Sequence, residues 1–569
     1  MTRPLVPAAL GAAALLTMLC ACGSNDDDAL PQLSAATGAS LTSCADLATR
    51  LSFANTTISA ANPIAAGTLS VAGSPVPAHC QVLGKMNARV SAVDGNAYAI
   101  GFEMRLPNAW NGRFFHQANG GIDGSVVIAT GAVNGGSGLT HALAMGFAVI
   151  SSDAGHLGAR GPAFGIDPQA RLDYGYQAVA TLTPMAKNAI KTAYGKGPDR
   201  SYIGGCSNGG RHTMVAAARY PDQYDGYLVG DPGFRLPLAA IANIAAAQAF
   251  ASVATNPADI STGFSSAERK LVSAAVLAKC DALDGATDGL VQDTSACQAA
   301  FKLDRDVPTC VDNSAGARDG SCLSAAQKTV VGKRFAGMTT GTGAPIYTSF
   351  PFDAGLGGGN TAFWNFTAPL ALDSGAVAMI WQVPPESPVG FVGATFALIG
   401  NLDSMLAKIK ATNTSYAEAA LAFMTPPNPA DLGVLKGRGA KLLAYHGTSD
   451  PIFSSDDTTH WYDALRAANG GDAGNFARFF RVPGMTHCSG GPTTDQFDML
   501  TPLVRWVEQG EAPDSVAASA RGAGNAAGVN ADVPAAWSAS RTRPLCAYPK
   551  VARYKGTGSI ESADSFACQ

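Results

Sequence analysis

Charge is scarce in this sequence. Asp, Glu, Lys and Arg make up only 14% of its 569 residues, the formal net charge is −4, and no long basic run occurs. Proteins that bind nucleic acids carry a dense basic surface, so this composition argues against a nucleic-acid partner. The abundance of Gly, Ala and Ser at low charge is more typical of an exported protein than of a cytosolic one.

Long apolar runs are missing beyond the N-terminus. Residues 1–22, MTRPLVPAALGAAALLTMLCAC, combine one Arg, a short apolar run and small residues. This run is too short for a membrane span and predicts a secretory signal. LCAC also resembles a bacterial lipobox, which predicts a lipid anchor at Cys22, with an ordinary signal peptide as the alternative. Residues 23–40 are expected to form a flexible tether.

The sequence also lacks the cysteine pattern of a metal site, because it has no CxxC pair and no histidine-rich cluster. Beyond Cys20 and Cys22 an even number of cysteines remains, which favours disulfides in an exported chain. We therefore expect a bacterial protein that is periplasmic, anchored in the outer membrane or secreted. Spacing alone leaves the connectivity open among Cys44, Cys80, Cys206, Cys280, Cys297, Cys310, Cys322, Cys488, Cys546 and Cys568.

Apolar and alternating stretches predict strands that alternate with helices, as in an α/β fold. After about residue 235 this alternation stops for roughly 200 residues, which is too long for one loop. We interpret residues 235–435 as an inserted lid domain. The predicted strands include 97–107, 113–121 and 543–554, and residues 146–156 are predicted to form a buried strand followed by a loop. The predicted helices include 176–195 and 493–510.

The stretch IGGCSNGGRH contains G-x-S-x-G around Ser207. This pattern is the strand-to-helix turn that presents the nucleophile of α/β-hydrolases. Asp450 in YHGTSDPIF and His487 in VPGMTHC each end a predicted strand, in the chain order Ser, acid, His of that fold. Strand ends meet at one sheet edge, so we predict a nucleophile, acid and base set. The alternative is a helix-capping Asp450 and a surface His487.

A serine nucleophile also needs backbone donors for the oxyanion that it creates. One is expected from Asn208, the residue after the serine. The other is expected from the glycine turn in HQANGGIDG, through Gly120 or Gly121, with Gly121 preferred. A plain tight loop is the alternative for this turn.

Cys206 precedes Ser207, and Cys488 follows His487. If Ser207 and His487 share a hydrogen bond, their neighbours could lie within disulfide reach. Such a bond would tie the two loops together, whereas two buried free thiols are the alternative.

Cys-Ser, Asp and His-Cys in this order resemble the tannase and feruloyl esterase family, which includes bacterial mono(2-hydroxyethyl) terephthalate hydrolases. The matching stretches are WNGRFFHQANGGIDG, SSDAGH, GCSNGGRH, HGTSDPIF and MTHC. The resemblance implies an α/β-hydrolase core, a doubly wound and mostly parallel sheet, over residues 41–234 and 436–569. It also implies five cysteine pairs: Cys206–Cys488, Cys44–Cys80, Cys280–Cys297, Cys310–Cys322 and Cys546–Cys568.

CDALDGATDGLVQD, which begins at Cys280, lies within the predicted lid and places three aspartates in one glycine-containing loop. Hard oxygen ligands at this spacing suit Ca²⁺, although the pattern is not that of an EF-hand, and an Asp-rich turn is the alternative. The resemblance implies a structural Ca²⁺ in the lid. Its expected ligands are the carboxylates of Asp281, Asp284 and Asp288 and the carbonyls of Ala286 and Leu290.

Lid aromatics are candidates to pack on an aromatic acyl group, although most aromatics at such spacings belong to a core. They are Trp364, Phe366, Trp381, Phe391 and Phe396. No Lys or Arg occurs between residues 336 and 407, whereas the terephthalate-monoester hydrolases of the family carry a lid Arg, and a Glu where this chain has Asn208. We therefore expect a preference for neutral phenolic acyl groups.

The combined expectation is an exported serine carboxylic-ester hydrolase, a monomer, that acts on small aromatic esters such as feruloyl or galloyl esters. Hydrolases of aromatic polyester monoesters or hydroxyalkanoate oligomers are alternatives. An inactive, lipid-anchored binding protein with the same fold is the alternative outside enzymes. His212 and His446 are expected to be structural, and His156 either supports the site or closes a turn.

Overall fold

A nine-stranded sheet lies at the centre of the chain. Its strands, numbered in chain order, are β1 (Thr56–Ile64), β2 (His79–Val90), β3 (Ala97–Pro107), β4 (Arg113–Gln117), β5 (Ala148–Ser152), β6 (Arg200–Cys206), β7 (Gly226–Gly230), β8 (Lys441–Gly447) and β9 (Ala477–Val482). They lie in the order β9-β8-β7-β6-β4-β5-β3-β2-β1. The six strands from β9 to β5 are parallel, and β3, β2 and β1 run antiparallel. This is the predicted α/β-hydrolase core.

The computed structural model describes residues 1–2, 30–133, 139 and 141–569. The apolar run of the predicted signal and the predicted anchor Cys22 therefore lie outside the described residues. Within the described part, no helix combines the length and apolar character needed to cross a membrane.

Burial explains why the parallel strands are continuous apolar runs. Every residue of β5, β7 and β8 is buried, because helices cover both faces of a parallel sheet. Strand β1, at the antiparallel edge, has no fully buried residue. Because the buried strands are parallel, the polar loops that follow their carboxyl ends lie at one edge of the sheet.

The longer α-helices are α1 (Ala178–Tyr194), α2 (Asn208–Arg219), α3 (Leu236–Ala251), α4 (Ser266–Cys280), α5 (Thr294–Ala300), α6 (Ala325–Ala336), α7 (Gly393–Ile399), α8 (Leu402–Lys408), α9 (Ser455–Ala468) and α10 (Leu500–Gln509). Shorter helical segments are Leu47–Arg50, Gly158–Ile166, Pro168–Leu172, Asp173–Gln177, Ile260–Gly263, Asp281–Asp284, Leu303–Asp306, Ala354–Gly357, Gly359–Ala362, Phe363–Thr367, Pro369–Asp373, Ala376–Trp381, Ala420–Met424, Gly433–Gly437 and Ala563–Ser565. Minor strands are Ala39–Ser40, Ser70–Val71, Ser74–Pro75, Ala109–Trp110, Gln496–Phe497, Ser515–Ser519, Thr542–Cys546, Ala552–Tyr554 and Phe566–Cys568.

The chain between β7 and β8 is helical and irregular, and it rests on the loops that follow β8 and β9. Asp353 in this segment is fully buried and accepts hydrogen bonds from the hydroxyl groups of Thr448 and Ser449. The backbone N–H of Gly484 also donates to Asp353, at 3.0 Å. The inserted segment is therefore attached to the loops that lead to Asp450 and His487.

Three predicted elements are shorter than expected, and one of them, the strand predicted over 113–121, ends at Gln117. The helix predicted over 493–510 begins only at Leu500, because the Asp498 carboxylate accepts the N–H groups of Leu500 and Thr501 and so starts the helix there. The strand predicted over 543–554 is split into Thr542–Cys546 and Ala552–Tyr554. Pro549 lies between the halves and has no N–H for a ladder.

Five disulfides crosslink the described chain. They join Cys44 to Cys80, Cys206 to Cys488, Cys280 to Cys297, Cys310 to Cys322 and Cys546 to Cys568. These are the five pairs that the family resemblance implies.

Candidate active site

Ser207 occupies a strained turn between β6 and α2. Its φ of 66° and ψ of −127° lie outside the regions that L-residues normally adopt. The glycines on either side permit the turn, since a Cβ at Gly205 or at Gly209 would stand 2.3 Å from the carbonyl oxygen of Ala118. The G-x-S-x-G spacing therefore reflects close packing, and Ser207 stays partly exposed at the sheet edge.

His487 and Asp450 form a short hydrogen bond at the same edge. His487 Nδ1 lies 2.7 Å from Asp450 Oδ2, and the Asp450 side chain has no exposed surface. The other carboxylate oxygen, Oδ1, accepts the N–H groups of Ile452 and Phe453. This arrangement fixes the ring and leaves Nε2 of His487 available as a base.

Asp450 is held in its ionised form. Burial alone would raise its pKa, but the neighbouring His487 and His446 outweigh burial and lower the pKa below its usual value. An ionised carboxylate is what a serine-activating histidine requires, because it stabilises the imidazolium formed when the serine proton moves.

The disulfide Cys206–Cys488 joins the Ser207 turn to the His487 loop, with 6.1 Å between the two Cα atoms. The Ser207 hydroxyl makes no hydrogen bond to any described residue, and such bonds often tighten only when substrate binds. The rings of Trp364 and Phe453 pack edge-on against His487, with centroids 5.1 and 5.3 Å away. These two ring contacts restrict the movement of the imidazole.

A second carboxylate, Asp231, was not predicted from sequence; it lies with Asp450 around His446, the histidine expected to be structural. His446 Nε2 lies 3.2 Å from Asp450 Oδ2, 3.0 Å from the Phe453 carbonyl and 3.7 Å from Asp231 Oδ1. Because all three neighbours are acceptors, Nε2 carries a proton. Asp231 also accepts the N–H groups of Gly447 and Cys488. Its position directly after β7, at the carboxyl edge of the sheet, was the available signal.

Burial raises the pKa of Asp231 to about 6, although the charges of His446 and His487 act in the opposite direction. The pKa of His446 is raised, because its hydrogen bond to Asp450 and the charge of Asp231 outweigh the effect of burial. The loop that carries His487 is thus supported by the buried side chains of Asp231, His446 and Asp450.

The glycine turn after β4 lies against the serine. A Cβ at Gly120 would be only 3.7 Å from Ser207 Cβ. Gly121, with a φ of 66°, adopts the left-handed conformation that glycine tolerates. The backbone N–H groups of Gly121 and Asn208 have no acceptor among the described residues, and for Asn208 this follows from its place at the first position of α2.

A buried polar cluster surrounds Asn208. Asp123 Oδ2 lies 2.8 Å from Asn208 Nδ2 and 2.9 Å from His212 Nε2. The fully buried Arg211 donates from Nε to Asn208 Oδ1 at 2.5 Å and from Nη2 toward His212 Nδ1 at 3.1 Å. Arg211 Nη2 also lies 3.2 Å from His212 Nε2, and burial, together with the charge of Arg211, lowers the pKa of His212 well below normal.

Burial raises the pKa of Asp123 to about 7, although His156 and Arg211 lower it. His156 stands on the other side of the turn, where its Nε2 donates to the Ile122 carbonyl at 2.8 Å. His156 therefore holds the glycine turn in place.

The five lid aromatics fall in different places. Trp364 contacts His487. Phe366 packs on Phe250 in the hydrophobic core, and Trp381 is also a core residue at 1% exposure. Phe391 and Phe396 pack on each other, with centroids 5.6 Å apart. Among these five, Trp364 is the one whose ring packs against a residue of the candidate site.

The Asp281–Leu290 loop has the properties of a divalent-cation site. Asp281, Asp284 and Asp288 are all buried; Arg543 pairs with the Asp288 carboxylate, and Arg541 donates to the Asp288 carbonyl. Asp284 Oδ2 is buried without a partner. Burial, together with the charges of Asp288 and Asp281, raises the pKa of Asp284 to about 7.

The carbonyl groups of Ala286 and Leu290 accept no hydrogen bond from the described residues. The carboxylate oxygens of the three aspartates do not all lie within 4.8 Å of one another. We therefore expect a bound cation to draw the loop together. The residues present fit a calcium ion in charge, donor type and unsatisfied oxygen atoms.

Comparisons with known proteins give a consistent result. The chain is 40% identical over 543 residues to the mono(2-hydroxyethyl) terephthalate hydrolase of Piscinibacter sakaiensis, covering 88% of this chain and 87% of that protein. It is 30% identical over 551 residues to a probable feruloyl esterase B of Emericella nidulans, covering 93% and 94%. The solved structure of feruloyl esterase B from Aspergillus oryzae has the same fold, with a TM-score of 0.74 at 24% identity, covering 92% of this chain and 99% of that one.

The sequence also matches the family described as tannase and feruloyl esterase over residues 80–569. That range contains Ser207, Asp450, His487, the glycine turn and the Asp281–Leu290 loop. The chain therefore belongs to the tannase and feruloyl esterase family.

Proposed function

We propose that this protein is a serine carboxylic-ester hydrolase for esters of aromatic acids. The observation that carries the proposal is the buried His487–Asp450 hydrogen bond of 2.7 Å, which lies beside a strained serine and is tied to it by a disulfide. A serine is a weak nucleophile unless an oriented base takes its proton. These residues supply the base and the group that orients it.

In the proposed reaction, Ser207 Oγ attacks the ester carbonyl while His487 Nε2 takes the hydroxyl proton. The N–H groups of Gly121 and Asn208 stabilise the oxyanion. His487 then gives the proton to the leaving alcohol, which departs and leaves an acyl-serine. Water, activated by His487, attacks that acyl group and releases the acid, and Asp450 stabilises the imidazolium in both halves of the reaction.

We propose neutral phenolic acids, of the feruloyl or galloyl kind, as the preferred acyl groups. The stretch from residue 336 to 407 contains no Lys or Arg to pair with a free carboxylate. Arg334, just before it, is buried, donates to the Pro451 carbonyl at 2.7 Å and stacks on Phe350. The relative that hydrolyses mono(2-hydroxyethyl) terephthalate makes this monoester the competing candidate.

Initial rates on five esters test this proposal: methyl ferulate, methyl gallate, methyl p-coumarate, mono(2-hydroxyethyl) terephthalate and p-nitrophenyl acetate. We expect kcat/KM for the best phenolic ester to exceed that for the terephthalate monoester by at least about 10-fold, the scale of one lost charge pairing of about 1.4 kcal/mol. The Ser207→Ala variant should be inactive on all five esters. Comparable values for methyl ferulate and the monoester would overturn the acyl preference, and an active Ser207→Ala variant would overturn the mechanism.

We also propose that the Asp281–Leu290 loop binds a structural Ca²⁺. The Leu290 side chain reaches Gly484, three residues before His487, so the loop supports the histidine segment. Calcium at about 100 times its Kd should stabilise the fold by about 2.7 kcal/mol, measured as a rise in Tm over the EDTA-treated protein. Asp284→Asn should abolish that rise, while Asp319→Asn, in an exposed lid turn, should retain it. An unchanged Tm on adding calcium would contradict the site.

The compartment and assembly are part of the same proposal. Five disulfides support an oxidising environment outside the cytoplasm, and we propose a monomer. A binding protein with an inactive hydrolase fold is the rival outside enzymes. Labelling by a fluorophosphonate, with loss of labelling in Ser207→Ala, distinguishes the two, because a binder has no activated serine.

A further inference from the structure

The two backbone donors of the proposed oxyanion site lie on different elements, and one buried carboxylate joins these elements. Gly121 belongs to the turn after β4, whereas Asn208 opens α2. Asp123, two residues after Gly121, accepts the Asn208 side-chain amide at 2.8 Å and His212 Nε2 at 2.9 Å. Its side chain is 2% exposed. The bridge therefore crosses from the turn to the helix beside the two N–H groups that must converge.

The helix side of this bridge is rigid. Asn208 uses both ends of its amide, since Nδ2 donates to Asp123 and Oδ1 accepts Arg211 Nε. Arg211 is in turn fixed by the carbonyl groups of Tyr174 and Gly175, at 3.0 and 2.8 Å. The Asn208 side chain cannot rotate without breaking a buried, charge-assisted hydrogen bond.

The turn side is held at several points as well. The Tyr174 hydroxyl lies 3.4 Å from the Gly121 carbonyl, and His156 donates to the Ile122 carbonyl. Asp123 itself has a φ of 54°, a conformation that aspartate tolerates better than most residues. The first two contacts hold the turn to the helical segment before α1 and to the loop after β5, whereas the Asp123 carboxylate joins the turn to the Asn208 side chain.

We propose that Asp123 is a positioning residue that sets the spacing between the N–H groups of Gly121 and Asn208. This inference rests on the proposed function, because an oxyanion forms there only if Ser207 attacks an ester. Oxyanion donors act by being preorganised, and a displacement of about 1 Å at a reacting group can cost about 100-fold in rate. A carboxylate that fixes the distance between the donors therefore acts on the transition state and not on the bound substrate.

The test compares Asp123→Leu, which removes the acceptor at similar size, with Asp123→Asn, which keeps one carbonyl oxygen. We expect Asp123→Leu to lower kcat on methyl ferulate by about 100-fold per active site, with KM within 3-fold of wild type. Active sites are counted by titration with a fluorophosphonate. Asp123→Asn should recover most of the loss. Affinity for an aromatic boronic acid, which mimics the tetrahedral state, should fall with kcat, while affinity for ferulic acid should not change.

Asp167→Leu is the matched control, since the Asp167 side chain is also buried, at 4% exposure, and accepts Arg89 and the Ala170 N–H away from α2 and from the glycine turn. It should change Tm but not kcat per titrated site. Asn208→Ala removes the other half of the bridge and keeps the backbone N–H, so it gives the same test if Asp123→Leu does not fold. It should lower kcat, and the double variant should lose no more than the larger single loss.

Three results would overturn the inference: a kcat per titrated site within 3-fold of wild type in both Asp123→Leu and Asn208→Ala, an equal fall in the Asp167→Leu control, or parallel losses of boronic-acid and ferulic-acid affinity. A wild-type enzyme that turns over the ester without any fluorophosphonate labelling would instead overturn the proposed function, and this inference with it.

Discussion

Replacing Asp450 with Asn should lower kcat/KM by about 10⁴-fold, as expected for loss of the acid in a serine–histidine–acid set. Both oxygens of Asp450 are surrounded by donors: two backbone N–H groups face Oδ1, and His487 and His446 face Oδ2. An asparagine must therefore turn its NH₂ group against at least one donor. If it faces His487, Nδ1 has to become the acceptor, and the proton moves to Nε2, where it blocks the base.

The same substitution leaves a buried donor without an acceptor, which should cost about 1–3 kcal/mol in free energy of unfolding. Asp167→Asn is the control, because Asp167 is also buried, caps a helix at Ala170 and pairs with Arg89, with no contact to the triad. It should lower Tm without changing kcat/KM. A kcat/KM within 10-fold of wild type for Asp450→Asn would show that Asp450 does not orient the base.

Removing the Cys206–Cys488 disulfide, as Cys206→Ala/Cys488→Ala, should affect stability and rate together. Its sequence separation is 282 residues, and a crosslink of that span is worth up to about 5 kcal/mol in the unfolded-state entropy account. It also fixes the spacing of Ser207 and His487, so we expect kcat per titrated site to fall by about 100-fold. Activity should not vanish, since the Cys488 N–H still donates to Asp231.

The matched control is Cys310→Ala/Cys322→Ala, in the lid, where the separation is 12 residues and the expected stability loss is nearer 3 kcal/mol. This variant should retain wild-type kcat once the folded fraction is counted. Equal fractional losses of kcat in the two double variants would mean that the Cys206–Cys488 bond supports the fold alone and does not set the Ser–His geometry.

The sequence predicts the α/β core because each buried strand is a continuous apolar run that ends in a polar loop. Ser207, Asp450 and His487 are predictable for the same reason, since each ends such a strand and parallel strands share one edge. The helix predicted over 493–510 illustrates the limit of periodicity. Its first turns carry the right residues, but Asp498 caps the chain later and Gln496 pairs in a strand.

Asp123, Asp231 and His446 were not assigned to the site from sequence, because their roles arise from partners that are distant in the chain. Asp231 meets Cys488 across 257 residues, and Asp123 meets Asn208 across 85. Trp364 and Trp381 are likewise indistinguishable by composition, yet one contacts His487 and the other is a core residue. Such distinctions depend on how the inserted segment packs on the core, which local patterns do not encode.

The position of a covalent label tests directly whether Ser207 is the nucleophile. The wild-type protein is treated with an alkyl fluorophosphonate, with and without excess methyl ferulate, and the modified peptide is identified by mass spectrometry as activity is followed. We expect one adduct, on Ser207. Its extent should match the loss of esterase activity, and methyl ferulate should slow its formation. A label on another residue, or full turnover after complete labelling of Ser207, would contradict this expectation.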